Sequence, residues 1–250
     1  MLHRFNAPDH ILITIDDGSV EHIDKAVYLV LWCMILGTHR ISIQDRAGIL
    51  AQHGGAIANL MYSQLKSWLE EDYDTWPVVF EVGRRRIPLH TARTAGSASF
   101  SRFMTEESDM SQSLDDTLDN GNAPWAKDTE EGSDSQSFET FRVRFLWSSQ
   151  GRLELVDAAR RICEEVQLGK YSYTEVDEKL VGNHLPSLNN LWKEPDLVLR
   201  CGSTGNLENI QPWLVRYASI YHIPSLKDVS FHQFTGIIQQ FSGVEQRHGK

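Results

Sequence analysis

The sequence has few cysteines, no long apolar run and no glycosylation sequon, and each absence excludes a class of protein. Its three cysteines are odd in number and widely separated, which argues against a disulfide framework and a CxxC metal site. The longest apolar run covers residues 26–36, whereas a membrane span needs about twenty residues. The start at residues 1–4 shows no apolar region of the kind found in signal peptides, so none is expected. The lack of an Asn-x-Ser/Thr sequon is consistent with a reducing, cytosol-facing location.

The common enzyme motifs are also missing. The sequence contains no GxGxxG after its first predicted strand, no Walker A loop, no HExxH and no GxSxG. Its ten histidines are scattered, so they are interpreted as surface or core residues rather than metal ligands.

The negative charge is concentrated in one segment. The formal net charge is −10, and residues 104–139 contain eleven acidic residues and one lysine. The rest of the chain has 23 basic and 23 acidic residues, so a nucleic-acid-binding surface is not indicated. An apolar content of 41% is sufficient for a packed core.

Strands and helices alternate along the chain. Short apolar, β-branched runs predict strands at residues 11–15, 40–44, 78–82, 141–147, 195–200 and 218–222. Helical patterns cover residues 20–36, 49–71, 152–168, 174–181, 209–217 and 230–243. This order predicts one α/β domain over residues 1–250, with a mostly parallel central sheet flanked by helices on both faces.

Several helix ends are predicted from single residues. Gly37 is typical of a helix C-terminus, and Thr174 and Ser230 are predicted N-caps. The Gly54–Gly55 pair is predicted to kink or break the second helix.

Residues 92–140 interrupt the alternation. They are rich in Ser, Thr, Asp, Glu and Gly without sustained periodicity, which predicts a disordered insertion in a loop. The alternative interpretation is a phospho-regulated or partner-binding segment, because many hydroxyl residues lie among the acids.

Candidate site residues follow the predicted strands. In parallel sheets, ligands bind at the carboxyl ends of strands, here after residues 15, 44 and 200. Asp16 or Asp17, followed by a helix, can place a carboxylate on Mg²⁺ and a phosphate at the helix N-terminus. The same pattern is typical of a turn with an N-cap, for which Asp17 or Ser19 would serve. Arg200 and the glycine- and hydroxyl-rich residues 201–206 are suited to a diphosphate, or form an ordinary loop.

Two segments carry a family resemblance. Residues 195–200 (Pro-Asp-Leu-Val-Leu-Arg) and 207–213 fit without a gap the frame Pro-Asp-Leu-x-x-Arg-Thr-Ser-Gly-Glu-x-Arg-x-Ser-Asn-Phe-x-x-Trp. Residues 245–250 read Glu-Gln-Arg-His-Gly-Lys. On these motifs the sequence resembles the cis-prenyltransferases, and among them the accessory subunits related to the Nogo-B receptor, which end in Glu-Gln-Arg-x-Gly-Lys.

The sequence also departs from the catalytic members of that family. Asp16 or Asp17 matches the aspartate of their Met-Asp-Gly-Asn motif. Four other motif positions have changed: Glu21 and Asn206 stand in place of arginines, Thr204 in place of a glutamate, and Ser219 in place of an acid. Because these changes remove cationic and metal-binding groups, the chain is expected not to complete an active site alone.

The resemblance implies a catalytically incomplete but essential subunit of a dehydrodolichyl diphosphate synthase complex. Arg247 and Gly249 would complete the active site of a catalytic cis-prenyltransferase partner, and Arg247, His248 and Gly249 would bind diphosphate. Arg200 is a further substrate-binding candidate. The Mg²⁺ would be held mainly by the partner, with Asp16 and Asp17 as the candidates in this chain.

The implied reaction joins isopentenyl diphosphate to farnesyl diphosphate, for the dolichol used in protein glycosylation. The implied location is the cytosolic face of the endoplasmic reticulum membrane. Relatives of the accessory type are anchored by an N-terminal membrane span, which this sequence does not show. Either the chain is shortened, or its membrane contact is made through the complex. Two alternatives remain. One is a receptor-like or sterol-trafficking binding protein that depends on residues 104–139, and the other is an independent homodimeric enzyme that uses Asp16 or Asp17.

Overall fold

The computed structural model describes residues 7–16, 22–45, 48–69, 77–82, 85–94, 140–147, 151–185, 188, 192–203 and 210–244. The strands in these ranges are β1 His10–Ile15, β2 Arg40–Asp45, β3 Val78–Val82, β4 Arg85–Pro88, β5 Phe141–Trp147, β6 Leu197–Cys201 and β7 Ser219–Ile223. The helices are α1 Ile23–Ile35, α2 Ile49–Gln52, α3 Gly54–Leu69, α4 Leu89–Thr94, α5 Gly151–Gln167, α6 Glu178–Asn183, α7 Pro212–Val215 and α8 Phe231–Ser242, with a 3₁₀ turn at Tyr173–Glu175.

The seven strands form one sheet in the order β4-β3-β5-β2-β1-β6-β7. Only the β3–β4 pair is antiparallel among these strands, and every other neighbouring pair is parallel. The predicted mostly parallel sheet is confirmed. β1 and β6 are buried along their whole length, as expected for central strands covered on both faces.

The two faces of the sheet have different cores. On one face, alternate residues of the central strands pack with buried side chains of α1, α3 and α8 in the main apolar cluster. On the other face a smaller cluster contains Leu12, Leu146, Val198, Ile210 and Leu214. Because strand side chains alternate between faces, residues two positions from Leu12 and Val198 also lie on this second face.

Two predicted helix boundaries are confirmed. Gly37 has a φ of 86°, its N–H donates to the Met34 carbonyl, and the Thr38 N–H donates to the Cys33 carbonyl. This pair of bonds is the Schellman arrangement that ends a helix with a left-handed residue. The predicted long helix is also broken at the Gly54–Gly55 pair, because α2 ends at Gln52 and α3 begins at Gly54.

The prediction for residues 174–181 was wrong in detail. Ser172, rather than Thr174, caps the 3₁₀ turn, accepting from the Thr174 N–H at 3.4 Å while the Glu175 carboxylate accepts from the Ser172 N–H at 2.7 Å. A separate helix, α6, begins after Asp177, whose Oδ1 accepts from the Leu180 N–H at 2.8 Å. The predicted Ser230 cap is confirmed, since its Oγ accepts from the Gln233 N–H at 3.2 Å.

Two elements were not predicted, and one predicted helix is shorter than expected. β4 adds an antiparallel edge strand, and α4 follows it directly. Ala92 in α4 is 0% exposed, so the predicted start of the insertion at residue 92 was wrong. Residues 95–139 lie outside the described residues. The helix predicted over residues 209–217 is the single turn α7, which begins at Pro212.

No helix in the described ranges is both long enough and apolar enough to cross a membrane.

Candidate functional site

The carboxyl ends of β1, β2 and β6 meet at one edge of the sheet, as the sequence predicted. Ile15 is paired with Asp45 on one side and with Cys201 on the other. The Asp16 N–H donates to the Cys201 carbonyl at 2.9 Å, which extends the β1–β6 pairing by one residue. Asp16 is half-buried at this edge. Asp17 lies outside the described residues.

Asp45 has a local structural role at this edge. The residue is 3% exposed, and its Oδ2 accepts from the Ile49 N–H at 2.6 Å. The carboxylate therefore satisfies a backbone donor at the start of α2, in the manner of an N-cap. Arg46, the other residue predicted here, lies outside the described residues.

Arg200 is a buried cation near the same edge. It is the penultimate residue of β6, it is 7% exposed as a residue, and it is paired with Thr14 of β1. The Arg200 Nε is buried and has no hydrogen-bond partner within the part of the chain that the structure describes. A buried donor without a hydrogen-bond partner is costly, so the Arg200 Nε is well placed to receive an acceptor atom.

The turn after β6 is held by two bonds to β7. Gly202 has a φ of 140°, which favours glycine, and its N–H donates to the Ile223 carbonyl at 3.0 Å. The His222 Nε2 donates to the Gly202 carbonyl at 2.7 Å. These bonds fix the direction in which the chain leaves β6. Residues 204–209, which include Thr204 and Asn206, lie outside the described residues.

Ser219 is not brought to this edge. It begins β7 opposite Leu197, while Arg200 is paired with His222 three residues further along the strand. At about 3.3 Å per residue, Ser219 lies roughly 10 Å from that position along the strand. Ser219, which stands in place of an acid of the catalytic members, therefore lies away from Asp16 and Arg200 in this chain.

The predicted tail residues Arg247, His248 and Gly249 lie outside the described residues, but the helix before them is well anchored. Four apolar side chains of α8 are buried in the main cluster: Phe234, Ile237, Ile238 and Phe241. The Arg200 side chain is on the other face, since it follows Val198 by two residues. In this chain, α8 and Arg200 thus lie on opposite faces of the sheet.

A buried polar network, which the sequence analysis missed, crosses the amino-terminal half of the second face. The His10 Nδ1–H donates to the Lys193 carbonyl at 2.7 Å, so its Nε2 accepts from the Ser42 hydroxyl at 2.8 Å. The Arg144 Nε and Nη2 donate to the same Ser42 Oγ at 3.4 and 3.3 Å. Burial, followed by the charge of Arg144, lowers the pKa of His10 to about 3.

The network continues across β5 to β3. The Arg144 guanidinium lies over the Trp192 ring at 4.2 Å, and burial lowers the pKa of Arg144 to about 10. The Trp192 Nε1–H donates to Glu81 Oε2 at 2.5 Å, and Arg142 Nη1 donates to Glu81 Oε1 at 3.2 Å. These two donors compensate the negative charge of the Glu81 carboxylate, which is buried because the residue is only 6% exposed. The available sequence signal was a polar residue at alternate positions of otherwise apolar strands, as in Phe-Arg-Val-Arg-Phe.

The described residues at the carboxyl edge could supply some, but not all, of the groups that hold a magnesium-bound diphosphate. Asp16 can supply one carboxylate oxygen, and Mg²⁺ in proteins is often held by one or two carboxylates together with substrate phosphates. Within the described ranges, no three His, Cys, Asp or Glu residues are grouped as a metal site. Among the described residues, the candidate groups are therefore Asp16 and the Arg200 cation, and Asp17 stays a candidate outside them.

The fold and this edge define a parallel-sheet α/β protein with a candidate anion site at the strand carboxyl ends. The sequence profile of a family described as “Putative undecaprenyl diphosphate synthase” matches residues 116–249. The chain belongs to this family of prenyltransferases, the cis-prenyltransferases.

Individual relatives agree with this assignment. The chain is 25% identical over 244 residues to the mouse dehydrodolichyl diphosphate synthase complex subunit Nus1, covering 97% of this chain and 66% of that protein. It is 23% identical to the human subunit, covering 97% of this chain and 67% of that protein. The chain thus spans about two thirds of the length of these relatives.

A solved structure supports the fold over almost the whole chain. The lavandulyl diphosphate synthase from Lavandula x intermedia, in complex with dimethylallyl diphosphate, matches with a TM-score of 0.58 and 15% identity. The match covers 98% of this chain and 99% of that one. At this identity the likeness establishes the fold.

Proposed function

We propose that this chain is the catalytically incomplete subunit of a dehydrodolichyl diphosphate synthase complex. The observation that carries the proposal is the similarity over 97% of the chain to the mouse and human subunits of that complex. The complex would condense isopentenyl diphosphate onto farnesyl diphosphate for dolichol synthesis and protein glycosylation. It would work at the cytosolic face of the endoplasmic reticulum membrane, with membrane contact through the assembly.

The carboxyl edge of this chain retains only part of a diphosphate site. Arg200 is kept as a buried cation and Asp16 as a carboxylate, while Glu21, Thr204 and Asn206 replace groups that the catalytic members use. Glu21 would repel a diphosphate where an arginine would attract it. This balance supports a subunit that depends on another chain for catalysis, and that is inactive alone.

The contribution proposed for this chain is its last segment, residues 245–250. Arg247 can form charge-assisted hydrogen bonds with a diphosphate, and the backbone N–H groups around His248 and Gly249 can line the same anion. When bound in the complex, Mg²⁺ supplies Lewis-acid stabilisation of the diphosphate, mainly through carboxylates of the partner. The helix that precedes this segment, α8, is held in place because its apolar face is buried in the core.

The test is a reconstituted complex of this chain with a catalytic cis-prenyltransferase subunit. Arg247→Ala should lower prenyl transfer by about 10²- to 10³-fold, as for the loss of one preorganised group that stabilises developing charge. Size-exclusion chromatography should show an unchanged complex. Arg161→Ala, in the exposed part of α5, is the matched control and should retain full activity. Equal activity of the Arg247 variant and the control would contradict the proposal, as would full activity of this chain without a partner.

A further inference from the structure

The ring of His184 lies between two acceptors, one on its own helix and one on the neighbouring helix. His184 follows α6 directly and is its C-cap. Its Nδ1 lies 2.9 Å from the Leu180 carbonyl oxygen, and its Nε2 lies 2.6 Å from Oε2 of Glu165 in α5. The ring is mostly buried, with 15% of the side chain exposed. Both ring nitrogens therefore face oxygen atoms that accept hydrogen bonds.

The protonated ring satisfies both contacts, and the neutral ring does not. A neutral imidazole has one N–H donor and one acceptor nitrogen, whereas an imidazolium donates from both nitrogens. A neutral ring would turn a lone pair towards either the Leu180 carbonyl or the Glu165 carboxylate. A proton on Glu165 would be an alternative, but Lys170 already donates to Oε1 of that carboxylate at 2.5 Å. Lys170 and His184 hold the pKa of Glu165 below its usual range, so the proton belongs to the ring.

The surroundings of the ring contain one anion in contact with it among the described residues, and this anion is Glu165 of α5. In the turn after α5, Lys170 pairs with the same carboxylate, and the Tyr171 ring meets His184 edge-on with centroids 6.5 Å apart. From α7, Arg216 and Tyr217 contact Glu178 at the other end of α6. The contact between α5 and the end of α6 thus depends on the charge of His184.

α6 depends on this contact because little of the helix is buried. None of its six residues is fully buried. Its apolar anchor is Leu185, which follows His184 and is 1% exposed. Segments with few buried apolar contacts open locally at a small cost in free energy. A single charge-assisted bond is therefore enough to change how often this segment opens.

We propose that His184 is a pH-sensitive clasp that holds α6 against α5 while its ring is protonated and releases it when the ring is neutral. Histidine is the side chain that ordinarily changes charge near neutral pH. The stabilisation of α6 is therefore present at acidic pH and is lost as the pH rises. The clasp is independent of the catalytic role proposed for residues 245–250, because none of its groups belongs to that segment.

Hydrogen exchange of the full chain at pH 6 and pH 8.5 tests the clasp. After correction for the intrinsic pH dependence of exchange, amide protection in residues 178–185 should be about three- to fivefold higher at pH 6, the upper range for a partly exposed ion pair. Protection in α8, which is anchored in the core, is the reference for pH effects on the whole chain. Equal protection of residues 178–185 at the two pH values would overturn the proposal.

Two variants remove the clasp from opposite sides. His184→Gln removes the titrating ring and Glu165→Gln removes the anion, so each should abolish the difference between pH 6 and pH 8.5. Lys170→Gln removes the other partner of Glu165 and is the matched control. Its pH difference should persist, because a lysine does not ordinarily titrate in this range. A pH difference that survives in Glu165→Gln contradicts the clasp, even if His184→Gln unfolds α6 at both pH values.

Ring nitrogen chemical shifts of His184 in the full chain provide a readout that needs no variant. At pH 6 both nitrogens should carry hydrogen, and at pH 8.5 one should have lost it together with the drop in amide protection. A ring that is neutral at pH 6 would overturn the proposal. A change of protonation without any change in the protection of residues 178–185 would overturn it as well.

Discussion

His10 is held neutral by the fold, and acid should therefore destabilise the protein through this one residue. Its residue is 1% exposed, and its two ring nitrogens are occupied by the Lys193 carbonyl and the Ser42 hydroxyl. The Ser42 Oγ in turn accepts from Arg144. A proton added to the His10 Nε2 would therefore point at the donating Ser42 hydroxyl and lie near the Arg144 cation. Burial is the main cause and Arg144 the second cause of the lowered pKa of His10.

The magnitude follows from the difference between the folded and unfolded states. The pKa of His10 falls from the ordinary 6.5 to about 3. Between these values the unfolded chain binds a proton and the folded chain does not. The resulting stabilisation is fully present above pH 6.5 and is lost as the pH falls towards 3. At pH 5, which is 1.5 units below 6.5, the loss from His10 alone is about 2 kcal/mol.

Urea unfolding at pH 7 and pH 5 tests this value. The free energy of unfolding of the parent chain should fall by about 2 kcal/mol more over this interval than that of His10→Gln, which cannot titrate there. His232→Gln, at an exposed position of α8, is the control and should keep the pH dependence of the parent. An equal loss in the parent chain and in His10→Gln would refute the reasoning, whatever the absolute stability of the variant.

Two further stability predictions follow from single side chains. Glu81→Ala should lower the free energy of unfolding by about 3 to 5 kcal/mol, because Arg142 and Trp192 lose their shared acceptor. Asp157→Ala, which removes an exposed ion pair, should have little effect, and similar urea midpoints for the two variants would contradict the prediction. Gly37→Ala should lower the melting temperature by adding about 1 kcal/mol of strain at a φ of 86°, whereas Gly236→Ala inside α8 should raise it. Equal shifts in thermal unfolding would refute the role of φ.

Much of the fold could be predicted from the sequence because local sequence patterns agree with the tertiary packing. The buried strands were predicted from continuous apolar runs. The end of α1 at Gly37 was predicted because a helix often ends at a left-handed residue, which favours glycine. β4 was missed because Arg85 and Arg86 do not resemble an apolar strand, and an edge strand needs only its pairing with β3. α4 was missed because the burial of Ala92 depends on packing against distant residues of the main cluster.

The sequence predicted where the candidate site residues lie better than it predicted what each of them does. The rule about strand carboxyl ends correctly brought Asp16 and Arg200 to one edge. The same rule also pointed to Asp45 as a candidate for binding a ligand. In the structure, the Asp45 carboxylate instead accepts from the Ile49 N–H. The buried Thr14 hydroxyl, which has no hydrogen-bond partner among the residues that the structure describes, carried no sequence signal, since a threonine in a strand is ordinary.

The sequence by itself determined the α/β class, the alternation of strands and helices, and the motifs that link the chain to the cis-prenyltransferases. These features depend on residues close together along the chain, through side-chain periodicity, turn conformations and motif spacing. The tertiary structure decided which polar residues are buried together: the His10–Ser42–Arg144–Glu81 network and the Thr14–Arg200 pair. Their partners lie on strands far apart in sequence, so only the order and register of the sheet bring them into contact.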